Sequence, residues 1–343
     1  MGMAGFLSQL AIRARVREAS QLASEYIELI DSIGEPDLTV GMLYPAIHVK
    51  YEAGEMADVE RLAQRVIDLA RGDPKRGNFL TGSPLAFATA MRASARCALG
   101  KAKWREDFDQ AVETSRVDAT TYVSMVMFKY MLGIPSGALR PDAEAQRETE
   151  EAMQIAKRCS EDFALHSAQL ARGLVLVSVE NSHREQGFEL LEKARSAAIG
   201  ERFNLTTVLT IDAVTAAERA RRGDLDGAIE LARRVIAEQF ESGAARDLGP
   251  ATSVLVESLL RRRRAPDIDE ARSAIETLAA VPTDPGFVFH ELPLLRMRAL
   301  LASADGEAER YRTYADRYRV TAQSLQFDDH LASARRLAAP ADP

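Results

Sequence analysis

Apolar residues recur three and four positions apart over long stretches of this chain, and short Gly/Asp turns cut those stretches apart. That spacing places the apolar side chains on one face of a helix. The clearest unit is 216–232, AAERARRGDLDGAIELA. Gly223 can take a positive φ and close the first helix. Asp224 or Asp226 can cap the second, and Ala228 and Ala232 keep its inner face small. The arrangement recurs at Tyr51-Glu52-Ala53-Gly54-Glu55-Met56-Ala57, with Ala63 and Val66 inside the second helix. It recurs again at Ala304-Asp305-Gly306-Glu307-Ala308, followed by Tyr311, Ala315 and Tyr318.

Weaker copies turn near Gly100, Ser182 and Pro266. The intervals are 46 (54 to 100), 82 (100 to 182), 41 (182 to 223), 43 (223 to 266) and 40 (266 to 306). The interval of 82 is twice 41, and a Gly/Pro-rich stretch at 133–141 lies halfway through it. A fixed period of this length marks a repeat architecture. Helix starts agree, because Pro45, Pro84, Pro250 and Pro293 each precede a turn by 9 to 16 residues and proline is tolerated in a first helical turn. Pro45 sets its helix to start at Leu43 or later. Valine and isoleucine never form long alternating runs, so strands are not expected as a major element.

The fold class expected is therefore all-α, a tetratricopeptide-like (TPR-like) α-solenoid of about seven antiparallel helix pairs with a period near 41 residues. Helix pairs of this kind bury only one face and are stable when stacked. The expected division is a long N-terminal helix in residues 1–36, repeats over 37–325, and a capping helix with a frayed tail over 326–343. The first helix reads as continuous over 12–33, with Val16, Leu22, Tyr26, Ile27 and Ile30 apolar. No hairpin precedes it, so it is expected to pair with a missing hairpin or with a second copy in a homodimer. Stacking leaves a concave wall made from the first helix of each pair. Laying the repeat pattern on the chain puts Tyr44, His48, Tyr51, Met125, Lys129, Arg172 and Arg296 on that wall as candidate binding residues.

Charge and composition narrow the function. The balance is −7, from 44 basic and 51 acidic residues, which argues against general affinity for nucleic acid. Cys97 and Cys159 cannot make a disulfide framework and fit a reducing cytoplasm. No apolar run reaches the roughly 20 residues that span a bilayer. The N-terminal arginines Arg13, Arg15 and Arg17 follow the apolar start rather than precede it, the wrong order for a secretory signal. A cytoplasmic protein is expected.

No catalytic, cofactor-binding or metal-binding set emerges. The stretch 72–78 has P-loop glycine spacing, but Asn78 and Phe79 stand where Lys and Ser/Thr are required. Gly100-Lys101 lacks the upstream glycine. His290-Glu291 begins like a zinc-protease motif, but position 294 is Leu and Pro293 breaks the alignment. His48, His166, His183, His290 and His330 contain no pair at metal-ligand spacing. Ser136 sits one position late for a nucleophile elbow, and no strand precedes it. The arginines at 261–264, and Arg219, Arg221 and Arg222, end helices, where cations complement the negative pole.

Five segments carry a resemblance. They are Tyr51-Glu52-Ala53-Gly54-Glu55-Met56, LAQRVIDLA at 62–70, Gly82-Ser83-Pro84-Leu85-Ala86, ERARRGD at 218–224 and LLRMRALLA at 294–302. In this order, over roughly 40–337, they resemble the C-terminal region of actinobacterial multidomain signalling proteins. Those proteins join a class III adenylate/guanylate cyclase domain, an AAA-type ATPase domain and a tetratricopeptide-like tail. The family's cyclase and ATPase residues have no counterpart position here. The resemblance implies a non-catalytic module for protein interaction and regulation, whose partner is another protein or cyclase/ATPase domains. Two alternatives stand beside it. One is a small-ligand sensor of an ATPase-coupled transcription regulator, with a small-molecule effector. The other is a fragment of a nucleotide cyclase without its catalytic domain.

Overall fold

The computed structural model describes residues 2–79, 82–179, 183–201 and 203–338. Among them are 18 α-helices and no strand. The chain opens with α1 (Gly2–Ile12), α2 (Val16–Ile33) and the short α3 (Pro36–Met42). It continues through α4 (Tyr44–Ala53), α5 (Met56–Ala70), α6 (Pro84–Ala98), α7 (Trp104–Ser115), α8 (Ala119–Gly133) and α9 (Ala143–Cys159). The second half holds α10 (Asp162–Val177), α11 (Arg184–Ile199), α12 (Thr206–Arg221), α13 (Leu225–Ser242), α14 (Leu248–Arg262) and α15 (Asp267–Ala279). Then come α16 (Val288–Ala304), α17 (Ala308–Leu325) and α18 (Asp328–Ala338). No helix among the described residues is long and apolar enough to cross a membrane.

Local chemistry explains the helix ends. Ser83, Asp118, Asp142 and Asp224 each cap a helix, accepting from Ala86 N at 3.3 Å, Thr121 N at 2.7 Å, Ala145 N at 2.8 Å and Gly227 N at 2.9 Å. Of the two aspartates proposed as caps for α13, Asp224 has the role, and Asp226 instead pairs with Arg262 and Arg264. Gly54 and Gly223 hold φ of +82° and +91°, values that cost glycine nothing. The turns expected at Gly54, Gly100, 133–141, Gly223, Pro266 and Gly306 all fall between consecutive helices that pack on each other. The turn expected at Ser182 lies outside the described residues, as do residues 339–343 of the tail.

Three expectations change. Residues 12–33 are not one helix: α1 ends at Ile12 and Ala14 takes φ +55° before α2 begins. The break lets Leu7 and Leu10 of α1 and Tyr26 and Ile30 of α2 enter one core, and α1 packs on both α2 and α4. This first helix therefore finds its partners within the chain. Next, Pro293 lies inside α16 rather than in its first turn. A proline there leaves the carbonyl four residues earlier, Phe289 O, without its helical donor. The backbone of α14 approaches that carbonyl so closely that a Cβ at Gly249 would lie 2.1 Å from it.

The third change concerns the concave wall. The first helices of successive pairs do line up, α4 on α6, α6 on α8, α8 on α10, and α12 on α14 on α16. However, α6, α8 and α10 are buried on nearly every side, which a sequence apolar all round the helix demands. The array covers its own wall. Leu205 N donates to Ile12 O at 2.9 Å, Arg17 Nη2 to Phe240 O at 2.6 Å, and Ala57 N to Asp284 Oδ2 at 2.8 Å. At the far end Phe327 stacks edge-on to Trp104 at 6.0 Å, and His330 Nε2 lies 2.9 Å from Ser136 O. The segment expected to cap the last repeat thus also ties it to the loop after α8.

Candidate functional site

Tyr44, His48 and Tyr51 lie at i, i+4 and i+7 of α4 and so share one face of that helix. Around them the structure gathers rings from other helices. Tyr44 and Phe87 have centroids 4.5 Å apart, and Phe128 stands edge-on to His48 at 6.2 Å and to Tyr51 at 6.3 Å. On the other side Phe163 and Phe203 meet at 5.3 Å. Between the rings of Tyr44, His48, Phe128, Phe163 and Phe203 remains a cavity of about 150 Å³. Its apolar lining includes Ile12, Pro45, Met127 and Met131, and its polar lining is Ser8, Tyr44, His48, Asn204 and Thr207. One side of the cavity is formed by Ser8 and Ile12 of α1 with Phe203, Asn204 and Thr207.

No residue on this wall carries a formal charge at neutral pH. Burial lowers the His48 pKa; Glu52, 3.6 Å away, opposes that fall, and Arg246 adds to it. Burial, with the Glu52 charge, pushes the Tyr44 phenol up. Behind Tyr51 sits a buried charge cluster. Arg246 donates to Asp247 at 2.6 Å and to Glu52 at 3.3 Å, and its guanidinium lies 4.5 Å from the Tyr51 ring centroid. Burial pulls the guanidinium pKa down, but Asp247 and Glu52 more than offset this and hold it well above its ordinary value.

The other predicted wall residues are not brought to this cavity. Met125 is fully buried in the core. Lys129 is held by Asp109 and Glu148, each at 3.1 Å. Arg172 donates to Gln146 O at 2.7 Å and pairs with Glu150 at 3.2 Å. Arg296 pairs with Glu257 at 2.8 Å in a second cavity of about 380 Å³, between α12, α14, α16 and α18. That second space has mixed charge, with Arg221, Arg261 and Arg296 set against Glu257 and Asp329. Two of its three arginines already have carboxylate partners, Arg221 with Glu218 and Arg296 with Glu257.

Sequence reasoning missed Ser8, Phe163, Phe203, Asn204 and Thr207. Nothing in their spacing points to α4, because the backbone tie between Ile12 and Leu205 brings them there. The features set aside have structural roles. Arg76 pairs with Asp37 at 2.6 Å and Gly77 packs on Gly41, so the loop at 72–78 folds onto α3. Arg262 joins Asp226 to Asp267, and Glu218 accepts from Arg184, Arg221 and Arg222. Among the described residues, no three His, Cys, Asp or Glu side chains gather at metal-binding distance.

Two largely buried histidines make stability depend on pH. Burial lowers His290 to about 4, and burial lowers His330 to about 4 against the opposing bond to Ser136 O. An unfolded chain binds these protons near pH about 6.5. Stability is therefore complete above that pH and declines as pH falls towards 4. Each histidine contributes a slope of up to about 1.4 kcal/mol per pH unit inside the window. Urea unfolding at pH about 7, 6 and 5 should show this decline, and a flat profile would mean the rings titrate freely in the folded chain.

Compared with known proteins, the chain matches no protein-family profile, and no curated protein matches it.

Proposed function

We propose that this chain is a non-catalytic regulatory module of about seven TPR-like helix pairs with a period near 41 residues, and that it senses a small molecule. The observation that carries the proposal is the aromatic cavity beside α4, which is lined by side chains from α1, α4, α8, α10 and α12 and holds no charged group. Concave, mostly apolar sites with a few polar groups are the usual form of small-molecule sites. A ligand there would touch both halves of the chain, so its binding would favour the closed array over any opened one.

The alignment of turns and helix pairs supports the repeat reading, and the likeness to tails of cyclase–ATPase signalling proteins supports a regulatory role in the cytoplasm. Docking of a partner protein on the inner wall fits less well, because that wall is already covered by the chain itself. A partner would bind the outer faces.

The test is a thermal-shift screen of the purified chain against neutral and charged metabolites, with ATP and GTP turnover measured alongside. A ligand that binds only the folded state raises the melting temperature. At least one metabolite should do so, and nucleotide turnover should stay at the blank. A panel without any stabiliser would sink the sensor, and turnover abolished by a single side-chain replacement would overturn the non-catalytic reading.

A further inference from the structure

We infer that the cavity beside α4 takes an uncharged, single-ring aromatic molecule bearing one hydrogen-bonding substituent. The inference rests on the small-ligand reading above and specifies its chemistry. Size comes first: an apolar cavity of about 150 Å³ is the space that holds benzene. Shape comes next. Tyr44, Phe128, Phe163 and Phe203 surround the space, and aromatic walls favour a ring that can lie offset or edge-on to them.

Polarity decides the substituent. Ser8 Oγ donates to Ala4 O at 3.0 Å and Thr207 Oγ1 donates to Asn204 O at 2.6 Å, so both hydroxyl protons are used. Asn204 Oδ1 accepts from Thr206 N at 3.1 Å and Thr206 Oγ1 at 2.9 Å. With the amide oriented by those bonds, its NH₂ has no partner among the described residues. The Tyr44 hydroxyl likewise makes no hydrogen bond among them. These groups ask for an acceptor or a hydroxyl on the ligand. A carboxylate or phosphate would lose its hydration with no cation on the wall to replace it, since Arg246 lies behind Tyr51 and is committed to Glu52 and Asp247.

The probes are phenol and benzamide, with benzoate as the charged counterpart, titrated into the full chain by calorimetry and by thermal shift. Phenol or benzamide at about a hundredfold excess over its Kd should raise the melting temperature by about 4 °C, and benzoate should not. Ser8→Phe fills the space and should abolish the shift. Asn204→Asp keeps the oxygen that accepts from Thr206, so it should fold as the parent does; it loses the NH₂ donor, so acetophenone, added as a probe that only accepts, should bind at least about tenfold more weakly. If Ser8→Phe lacks the parent's circular dichroism, Asn204→Asp decides. Benzoate binding as tightly as phenol, a phenol shift unchanged in folded Ser8→Phe, or acetophenone binding unchanged in Asn204→Asp overturns the assignment. In that case a charged metabolite that stabilises the parent but not the cavity-filled chain keeps the sensor reading alive, and the absence of any stabiliser ends both.

Discussion

Arg246→Ala is expected to lower the unfolding free energy by about 3–5 kcal/mol, the cost of leaving a buried charge without its partner. Arg246 and Glu52 are 3% and 2% exposed, and they meet across 194 residues of sequence. The guanidinium serves both Glu52 and Asp247. Asp247 keeps a second donor, Thr210 Oγ1 at 2.9 Å. Among the described residues, Glu52 keeps only His48, whose ring is held neutral by burial. Glu52 is therefore the group stranded by the substitution. Folded domains are stable by only about 5–15 kcal/mol, so the loss is a large share of the total. Urea unfolding measures it directly. Adding Glu52→Gln to Arg246→Ala should recover a substantial part, because the stranded carboxylate becomes an uncharged amide. A double variant no more stable than the single one would show that the loss came from packing against Tyr51 instead.

Phe327→Ala should cost a similar amount, about 3–5 kcal/mol, for a different reason. The ring is fully buried at the start of α18, with Trp104 at 6.0 Å, Phe289 at 6.4 Å and His330 at 6.2 Å. Truncation leaves a cavity where the last helices meet α7 and the loop after α8. Nearby, Arg105 donates to Gln326 O at 2.8 Å and Asp329 N donates to Gly137 O at 3.1 Å, so the surroundings are tied and can collapse little. Amide exchange should quicken at 136–139 and in α18 together. If the end of the array were merely a fraying cap, the loss would be below about 1 kcal/mol, and exchange at 136–139 would not change. That outcome would remove the closure from the account of this fold.

The helical class and the turn positions could be read from the chain because both depend on neighbours within a few residues. Gly54 and Gly223 sit where a positive φ ends a helix, and Ala228 and Ala232 face the partner helix as their spacing requires. The division of 12–33 was missed because Arg13-Ala14-Arg15 contains no Gly or Pro. The break there is set by packing of α1 on α4, which no local pattern records. Pro293 was misplaced for a related reason. Inside α16 it leaves the Phe289 carbonyl free, and the backbone of α14 at Gly249 comes up against that carbonyl, a contact no local pattern records.

Of the seven wall residues, Tyr44, His48 and Tyr51 cluster because one helix carries all three, whereas Met125 and Lys129 lie on α8, Arg172 on α10 and Arg296 on α16. Periodicity states which face of a helix is apolar. It does not state what lies opposite. The cavity, its neutral lining and the burial of the wall arise from contacts such as Ile12 with Leu205 and Glu52 with Arg246. Groups nearly two hundred residues apart in sequence meet there, and only the packing of the helices between them brings them together.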